Sequence, residues 1–245
     1  MEHEFKDKHI LVTGASGGIG SAIISAFQTK GAVVTGTDLN AETISADHKI
    51  AGDLTDPDFP DKLVKQAHNI MGPIDILVNN AGIIRRGNVT QSSDDDLRLS
   101  LSVNVEAPFR LCRSVIPLMA ENGGGHIVNI ASCWGVHPGP NHALYCMTKG
   151  AIASLTQSMG LDHAHQNIRI NAVCPNEVNT DMLRSGFKMR GFDPDKAVED
   201  LNKTVPIGHI AEASEIADVV TFLASDAARY ICGALIEVNG GKRVS

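Results

Sequence analysis

The sequence has 245 residues, of which 43% are hydrophobic, and a formal net charge of −7. A chain of this length and apolar content can bury one sheet between helices, so we expect a single domain over 1–245. The 28 acidic residues outnumber the 21 basic ones, which disfavours nucleic acid and anionic bilayers as partners, because binding to either needs surplus cations.

The N-terminal stretch MEHEFKDKHI is charged, and the chain contains no apolar run of about eighteen residues. We therefore expect neither a signal peptide nor a membrane span, and a cytoplasmic protein. The five cysteines form no Cys-x-x-Cys pair, which predicts reduced thiols rather than disulfides or a zinc ribbon. His163 and His165 are two residues apart and point to different sides of a helix, so no metal site is expected.

Short apolar runs rich in Val and Ile recur along the chain, as in strands that are buried on both faces. They are HILV (9–12), AVVTGT (32–37), IDILVN (74–79), HIVNIA (126–131), IRINAV (168–173) and ALIEV (234–238). Longer segments between them have helical spacing of apolar residues, for example Leu144, Met147, Ala151, Leu155 and Met159. This alternation predicts an α/β fold with one doubly wound parallel sheet of about seven strands, flanked by helices.

Two segments depart from the regular alternation. Residues 38–53 are too few for more than a brief helix between strands. Residues 181–204 contain Gly186, Gly191 and Pro194 and interrupt the pattern between two strands. A segment of this kind predicts a small substrate lid on the ligand side of the sheet.

A glycine-rich turn, LVTGASGGIG, follows the first predicted strand and leads into a predicted helix. Gly14, Gly18 and Gly20 permit a tight turn, close approach of the backbone to a pyrophosphate, and close packing of helix on strand. Asp38 ends the second strand, where a carboxylate accepts hydrogen bonds from a ribose and repels a 2′-phosphate. No cation stands at 15–17 or at Leu39, so the sequence predicts NAD(H) in preference to NADP(H).

These motifs resemble those of the classical short-chain dehydrogenase/reductase family over essentially the whole chain. The family's T-G-x-x-x-G-x-G loop matches Thr13–Gly20, and its N-N-A-G stretch matches Asn79–Gly82. The resemblance implies a Rossmann fold, a homotetramer, and a catalytic set of Asn104, Ser132, Tyr145 and Lys149. The cofactor-binding residues that it implies are Gly14, Ser16, Gly18, Ile19, Gly20, Asp38, Asp53, Leu54, Asn80, Ala81, Gly82, Tyr145, Lys149, Pro175, Val178 and Thr180.

The chain departs from the family pattern at two positions. Asn176 follows Pro175 where the family usually has glycine, and we expect the turn to form because Asn tolerates left-handed backbone. Asn239 stands in EVNGG where aspartate is common in the family, and we expect little functional effect from it.

The Tyr145–Lys149 spacing suits oxidation of a secondary alcohol. Residues i and i+4 share a helix face, and a phenol with a pKa of roughly 10 needs help to act as a base near neutral pH. A neighbouring cation lowers such a pKa by roughly 1 to 3 units, so Lys149 is expected to supply most of the shift. Ser132 is expected to hold the substrate oxygen, and the resemblance implies that Asn104 anchors a water for proton relay.

The substrate is predicted from cations near the expected hydride site. Guanidinium groups hold carboxylates and phosphates, and the stretch NNAGIIRRG is similar to gluconate 5-dehydrogenase and to enzymes acting on keto-deoxy sugar acids. We therefore expect a small, anionic, hydroxylated substrate such as a sugar acid. The candidate substrate residues are Arg85, Arg86, Trp134, His137, His142, Arg184 and Arg190.

Other interpretations of these residues stay open at this point. The charges can serve only to solvate a loop and a helix face, and the aromatic residues can serve packing or a subunit contact. Within the enzyme class, the alternatives are a 3-oxoacyl-carrier-protein reductase and a hydroxybutyrate-type dehydrogenase. A protein that senses NAD(H) without turnover is a further alternative, which the presence of both Tyr145 and Lys149 disfavours.

Overall fold

The computed structural model describes residues 4–243. Seven parallel strands of this range form one sheet in the order β3-β2-β1-β4-β5-β6-β9, and β7 pairs with β8 in a separate small sheet. The strands are β1 (His9–Thr13), β2 (Val33–Asp38), β3 (His48–Ala51), β4 (Ile76–Asn79), β5 (Gly125–Ile130), β6 (Ile168–Pro175), β7 (Val178–Asn179), β8 (Ala211–Glu212) and β9 (Leu235–Val238). The predicted doubly wound, Rossmann-like parallel sheet is confirmed.

Helices cover both faces of this sheet. They are α1 (Gly18–Thr29), α2 (Phe59–Met71), α3 (Asp94–Leu101), α4 (Ala107–Glu121), α5 (Cys133–Val136), α6 (Ala143–His163), α7 (Asp181–Met189), α8 (Pro194–Asn202) and α9 (Ala213–Ala224). On β1, Ile10 and Val12 join a buried cluster with α1 and α9, whereas Leu11 joins the cluster of α2 and α4 on the opposite face. Because both faces of β1 are buried, these three successive residues of the strand are all apolar.

The strand order reverses direction at β1 and β4. The chain builds outward from β1 through β2 to β3, then returns to pair β4 on the other side of β1. Loops at the carboxyl ends of β1 and β4 therefore diverge in opposite directions and leave a crevice between them. Such a crevice is the usual ligand site of an open parallel sheet.

Two segments carry structure that the apolar runs did not specify. Residues 38–53 contain a single helical turn, Ala41–Thr43, followed by the edge strand β3. Residues 181–204 form α7 and α8, which share a small buried cluster of Phe187 and Val198 with Val205 and Ile210. This cluster gives the α7–α8 segment apolar packing of its own beside the carboxyl edge of the sheet.

Between residues 4 and 243, no helix combines the length and apolar character needed to cross a bilayer. The same range holds no group of three or more His, Cys, Asp or Glu side chains arranged to bind a metal ion. The five cysteines are free thiols.

Candidate active site

A cavity of about 620 Å³ lies at the carboxyl edge of the sheet, bounded by the loops that follow β1, β2, β4, β5 and β6. It joins the glycine-rich turn to the tyrosine and lysine of α6. The predicted catalytic and cofactor residues that line it are Gly14, Ser16, Gly18, Ile19, Gly20, Asp38, Asp53, Leu54, Asn80, Ala81, Gly82, Ser132, Tyr145, Lys149, Pro175, Val178 and Thr180.

The glycine-rich turn is shaped by backbone contacts that exclude side chains. Gly14 has φ +62, a left-handed conformation that favours glycine. A Cβ on Gly20 would overlap the carbonyl oxygen of Gly14, and one on Gly18 would lie 2.9 Å from Thr180 Cγ2. Gly17 precedes α1 and gives its N-terminus no side-chain cap, so the first N–H groups of the helix stay available to an anion.

Asp38 is fixed at the end of β2 by main-chain donors. Its carboxylate accepts hydrogen bonds from Ser16 N at 3.0 Å and from Leu39 N at 2.8 Å. The bond from Ser16 attaches the carboxylate to the glycine-rich turn, and the bond from Leu39 fixes its orientation at the end of β2. Its position beside the turn therefore does not depend on a ligand.

The loop after β4 is joined to β1 by side-chain hydrogen bonds. Thr13 Oγ1 accepts from Asn80 N at 3.1 Å and from Ala81 N at 3.0 Å. Asn80 Nδ2 in turn donates to the carbonyl oxygens of Thr13 and Gly14, each at 3.0 Å. These four hydrogen bonds fix the loop after β4 against the end of β1, where the two loops border the crevice.

Ser132 and Tyr145 reach the cavity from different elements that pack closely. Ser132 follows β5 and caps α5, accepting a hydrogen bond from Trp134 N at 3.2 Å. At Gly135 the short α5 touches the backbone of α6, since an added Cβ would lie 2.5 Å from Lys149 C. The hydroxyl of Ser132 acts to lower the pKa of Tyr145. The absence of a side chain at Gly135 thus permits the approach of α5 to α6.

Lys149 is buried, with 5% of its surface exposed. Its Nζ donates to the main-chain oxygen of Ile130 at 2.6 Å and lies 6.0 Å from the centre of the Tyr145 ring. Burial lowers the pKa of Lys149 to about 8, opposed by the charge of Cys174. The lysine is therefore held by the end of β5 rather than by the phenol.

The structure corrects the expected electrostatics of Tyr145. Burial raises the pKa of Tyr145 above its ordinary value, and this effect outweighs the opposing effects of Ser132 and of the charge of Arg86. This direction is opposite to the expected downward shift, most of which was assigned to Lys149, because desolvation of the phenol dominates among the effects of the chain's own groups.

Asn104 lies behind the cavity rather than in its wall. It belongs to a π-helical turn, Ser102–Glu106, between α3 and α4, a distortion often found at functional sites. Its Nδ2 donates to Ile83 O at 2.9 Å and to Thr148 Oγ1 at 3.0 Å, while its Oδ1 accepts from Ile83 N at 2.8 Å. The side chain therefore connects the loop after β4 to α6.

Comparison with known proteins assigns the family. A family model described as enoyl-(acyl carrier protein) reductase matches residues 14–243. Dehydrogenase/reductase SDR family member 6 of Danio rerio is 32% identical, over 97% of this chain and 98% of its own length. The chain belongs to the short-chain dehydrogenase/reductase family. Another relative, meso-2,3-butanediol dehydrogenase of Serratia marcescens, is 34% identical over 98% of this chain and 96% of its own length.

Solved structures of a sugar dehydrogenase and a sugar reductase share the fold of this chain. Ligand-free aldohexose dehydrogenase of Thermoplasma acidophilum superposes with a TM-score of 0.91 at 33% identity, covering 96% of this chain and 94% of that one. L-sorbose reductase from Gluconobacter frateurii, in complex with NADPH and L-sorbose, has a TM-score of 0.91 at 27% identity, covering 98% of both chains.

Enzymes of the short-chain dehydrogenase/reductase family use a nicotinamide cofactor, and the residues of this chain fit one. The uncapped N-terminus of α1 suits a pyrophosphate, and the fixed carboxylate of Asp38 suits a ribose diol. The side-chain-free surfaces of Gly14, Gly18 and Gly20 leave the space that a dinucleotide needs. Tyr145 and Lys149 border the far end of the same cavity.

The departure from the family pattern at Asn176 is accommodated differently from the prediction. Within the described residues, positive φ outside glycine occurs only at Asp7, Asn141 and Asn167. Asn176 instead donates its main-chain N–H to Val238 O at 3.1 Å. The turn after β6 therefore needs no left-handed residue, because β9 supports it directly.

The predicted substrate residues divide into two groups. Arg86, Trp134, His142 and Arg190 line the cavity. Arg85, His137 and Arg184 lie outside its lining, because each is held by a carboxylate: Asp96 at 2.8 Å, Glu237 at 3.1 Å and Asp195 at 2.7 Å respectively. These three residues therefore do not border the place where a substrate meets Tyr145.

Sequence reasoning missed two residues that shape the site. Thr148 accepts from Asn104 and donates to Tyr145 O at 3.1 Å, and its position between Tyr145 and Lys149 on α6 was the available signal. Phe187 lines the cavity from α7 and belongs to the cluster shared with α8. Its apolar spacing with Leu183 was the available signal in that segment.

Proposed function

We propose that this chain is an NAD(H)-dependent oxidoreductase that interconverts a secondary alcohol and a ketone, with Tyr145 as the proton-transferring group. The observation that supports this most strongly is the shared cavity: Ser132, Tyr145 and Lys149 line the same space as the glycine-rich turn and Asp38. Cofactor-holding and proton-transferring groups thus converge, although they lie far apart in the sequence.

Each side chain has a distinct task in this proposal. The Tyr145 hydroxyl takes the proton from the substrate hydroxyl in oxidation and returns one to the carbonyl oxygen in reduction. Ser132 donates a hydrogen bond to the same oxygen as its charge changes. Lys149 keeps a positive charge close to the phenol at neutral pH. Asn104 holds the loop after β4 against α6, the helix that carries Lys149.

The cofactor proposal assigns residues along the crevice. The N-terminus of α1 holds the pyrophosphate, Asp38 the adenine-side ribose, and Asn80 to Gly82 with Pro175, Val178 and Thr180 the nicotinamide end. When bound, a nicotinamide supplies hydride acceptance from the carbinol carbon or hydride donation to the carbonyl carbon. Asp53 and Leu54, which also line the cavity, border the adenine.

Preference for NAD(H) over NADP(H) is part of the proposal. Asp38 places a fixed negative charge where the adenine-side ribose would lie. Neither residues 15–17 nor Leu39 carry a positive charge that could bind a 2′-phosphate. L-sorbose reductase, a structural neighbour, is seen with NADPH, so fold alone does not decide the cofactor. The carboxylate of Asp38 favours NAD(H) because it repels a second negative group.

The proposed substrate is small, polyhydroxylated and anionic, such as a sugar acid or keto-deoxy sugar acid. His142 lines the cavity and its Nδ1 bonds the carbonyl of Pro140 at 2.9 Å. Burial and the charges of Arg86 and Arg190 lower the pKa of His142, so the neutral ring presents Nε2 as an acceptor for a substrate hydroxyl. Trp134 packs edge-on against His142 at 4.3 Å and provides an apolar wall.

A second candidate function is reduction of a 3-oxoacyl thioester or oxidation of a hydroxybutyrate-type acid. The description of the matching family model, enoyl-(acyl carrier protein) reductase, favours an acyl thioester as the substrate but names a different reduction. The same Tyr145 chemistry serves both candidates, so only the substrate distinguishes them.

The test is NADH absorbance after mixing the protein with NAD⁺ and a panel of sugar acids, hydroxy acids and simple polyols, with an acetoacetyl thioester and NADH as the reverse arm. The proposal expects NADH formation with at least one sugar acid. Turnover of the thioester alone supports the second candidate, and absence of turnover with every compound contradicts both.

The proposal also includes a homotetramer. Large apolar side chains are exposed on two neighbouring helices, namely Phe109 on α4 and Met147 with Leu161 on α6, and β9 lies at the edge of the sheet. Light scattering is expected to give about four times the chain mass of 26.0 kDa. A mass of one chain would contradict it.

A further inference from the structure

The arginines around the cavity differ in whether an acidic partner neutralises them. Arg85 pairs with Asp96, and Arg184 pairs with Asp195. Arg86 and Arg190 form no salt bridge with any acidic side chain of residues 4–243. These two line the cavity, whereas the two paired arginines do not. Among these four arginines, the two without a carboxylate partner are therefore the two that line the cavity.

Arg86 and Arg190 meet at Gly186, on the buried side of α7. A Cβ on Gly186 would lie 2.9 Å from Arg86 Cζ, so the missing side chain leaves room for that guanidinium. Arg190 Nε donates to the carbonyl oxygen of the same glycine at 2.9 Å. One guanidinium from the loop after β4 and one from the end of α7 are therefore brought to the same place.

Arg190 is oriented by contacts within its own segment of the chain. Its Cζ lies 4.9 Å from the centre of the Phe187 ring and 5.8 Å from that of Phe192. With Nε already donating to Gly186, its two terminal amino groups remain for an acceptor, which is the pair of donors that a planar carboxylate accepts. Cation–π contacts and the backbone bond hold the plane of the guanidinium.

The positive charges of Arg86 and Arg190 affect the pKa values of nearby groups. Burial lowers the pKa of Arg86, and the charge of Arg190 lowers it further. Both arginines lower the pKa of His142, and the charge of Arg86 acts to lower that of Tyr145. Two like charges that repel each other gain when an anion is placed between them. The region between Arg86 and Arg190 therefore favours a negative group close to the proton-transferring phenol.

We infer that Arg86 and Arg190 together bind the carboxylate of a hydroxy-acid substrate whose carbinol is presented to Tyr145. This inference rests on the proposed function and names the part of the cavity that selects the substrate. The carboxylate links the loop after β4 to α7, with each arginine contributing donors. A neutral polyol of the same length leaves both guanidiniums without an acceptor and binds weakly.

The test uses Trp134, the single tryptophan of the chain, whose ring lines this cavity. Its fluorescence is recorded in stopped flow with NAD⁺ present, so that binding is seen before turnover. The ligands are sodium gluconate, sodium 3-hydroxybutyrate, neutral glucitol and inorganic phosphate, at constant ionic strength. Because this signal needs no chemistry, it separates failure of the anion site from failure of the proposed function.

Four charge variants form matched pairs in this test. In Arg86→Met and Arg190→Met, the half-saturating concentration of the responding carboxylate is expected to rise about tenfold or more. In Arg85→Met and Arg184→Met, whose arginines already have carboxylate partners, it is expected to stay within about twofold. Gly186→Ala keeps every charge but displaces Arg86, and is expected to weaken carboxylate binding as well.

Several results would overturn the inference. They are an equal response to glucitol and gluconate, equal affinity in Arg86→Met and Arg85→Met, a response to phosphate but to neither carboxylate, and no response to any of the four ligands. Carboxylate binding that depends on Arg86 and Arg190 without NADH formation would support the anion site and contradict the proposed function.

Discussion

Lys149 donates a hydrogen bond of 2.6 Å from its Nζ to the main-chain oxygen of Ile130. The bond holds the ammonium at the end of β5, with Nζ 6.0 Å from the centre of the Tyr145 ring. The lysine therefore acts on the phenol through space rather than through a direct bond. Desolvation of the phenol is the stronger effect and raises the pKa of Tyr145.

This balance predicts the titration of Tyr145 in the ligand-free protein. Tyr145 and Tyr230 are the two tyrosines of the chain, so subtracting the ultraviolet titration of Tyr145→Phe from that of the wild type isolates Tyr145. Its midpoint is expected above that of free tyrosine, roughly 10, because burial disfavours the phenolate. A midpoint below that of free tyrosine would show that the lysine charge outweighs burial.

Replacement of Asp38 tests the cofactor preference. In Asp38→Ala, the ratio of kcat/KM with NADPH to kcat/KM with NADH is expected to rise about tenfold or more, because the charge that repels a 2′-phosphate is removed. Glu42→Ala is the matched control, since Glu42 lies in the helical turn after β2 and does not line the cavity. An unchanged ratio in Asp38→Ala would refute the cofactor proposal.

Gly135 is expected to tolerate no side chain. In Gly135→Ala the new Cβ would lie 2.5 Å from the carbonyl carbon of Lys149 and 2.7 Å from its oxygen, so α5 must move away from α6 and take Ser132 with it. We expect a loss of roughly 1–3 kcal/mol in the free energy of unfolding, measured with urea, and a lower kcat. In Gly150→Ala the contact is 3.2 Å to Gly135 O, and the change should stay within about 1 kcal/mol. Equal stability of the two variants would contradict this packing.

His126 is expected to make the protein less stable in mild acid. Burial and the charge of Arg169, whose Nη2 lies 3.3 Å from His126 Nε2, lower the pKa of His126 from 6.5 to about 4. The unfolded chain therefore binds a proton between these two pH values that the folded chain does not, so stability present above pH 6.5 is lost as the pH falls toward 4.

The comparison variant is His126→Gln. Between pH 7.5 and pH 4.5, the wild type is expected to lose more unfolding free energy than the variant, by on the order of 2 kcal/mol. Urea unfolding at the two pH values measures the difference, and the other histidines cancel because both proteins carry them. An identical loss in the two proteins would contradict the shifted pKa.

The fold was predictable from sequence where burial on both faces produces continuous apolar runs, as in β1 and β6. The edge strand β3 was missed because only Ile50 of its four residues is buried, which leaves no apolar run. The convergence of Gly14 and Asp38 on one cavity followed from parallel topology, since the carboxyl ends of all strands meet at one edge. Tyr145 reaches the same cavity from the start of α6.

Tertiary packing decided the features that sequence did not reveal. Arg85 and Arg86 are adjacent in sequence, yet only Arg86 lines the cavity, because Arg85 is held by a salt bridge with Asp96 of α3. Likewise, Arg184 forms a salt bridge with Asp195 of α8 and does not line the cavity, whereas Arg190 does. The direction of the Tyr145 pKa shift depends on how many protein atoms surround the phenol, a quantity that the spacing from Tyr145 to Lys149 does not contain.

The most direct measurement of the central claim is the steady-state and binding behaviour of Tyr145→Phe. With a substrate that the wild type oxidises, the variant is expected to lose at least ~10²-fold in kcat, the usual scale of general acid–base catalysis. Its affinity for NADH, followed by cofactor fluorescence, should remain close to that of the wild type. A Phe variant that turns over at a rate comparable to the wild type would show that the phenol does not transfer the proton.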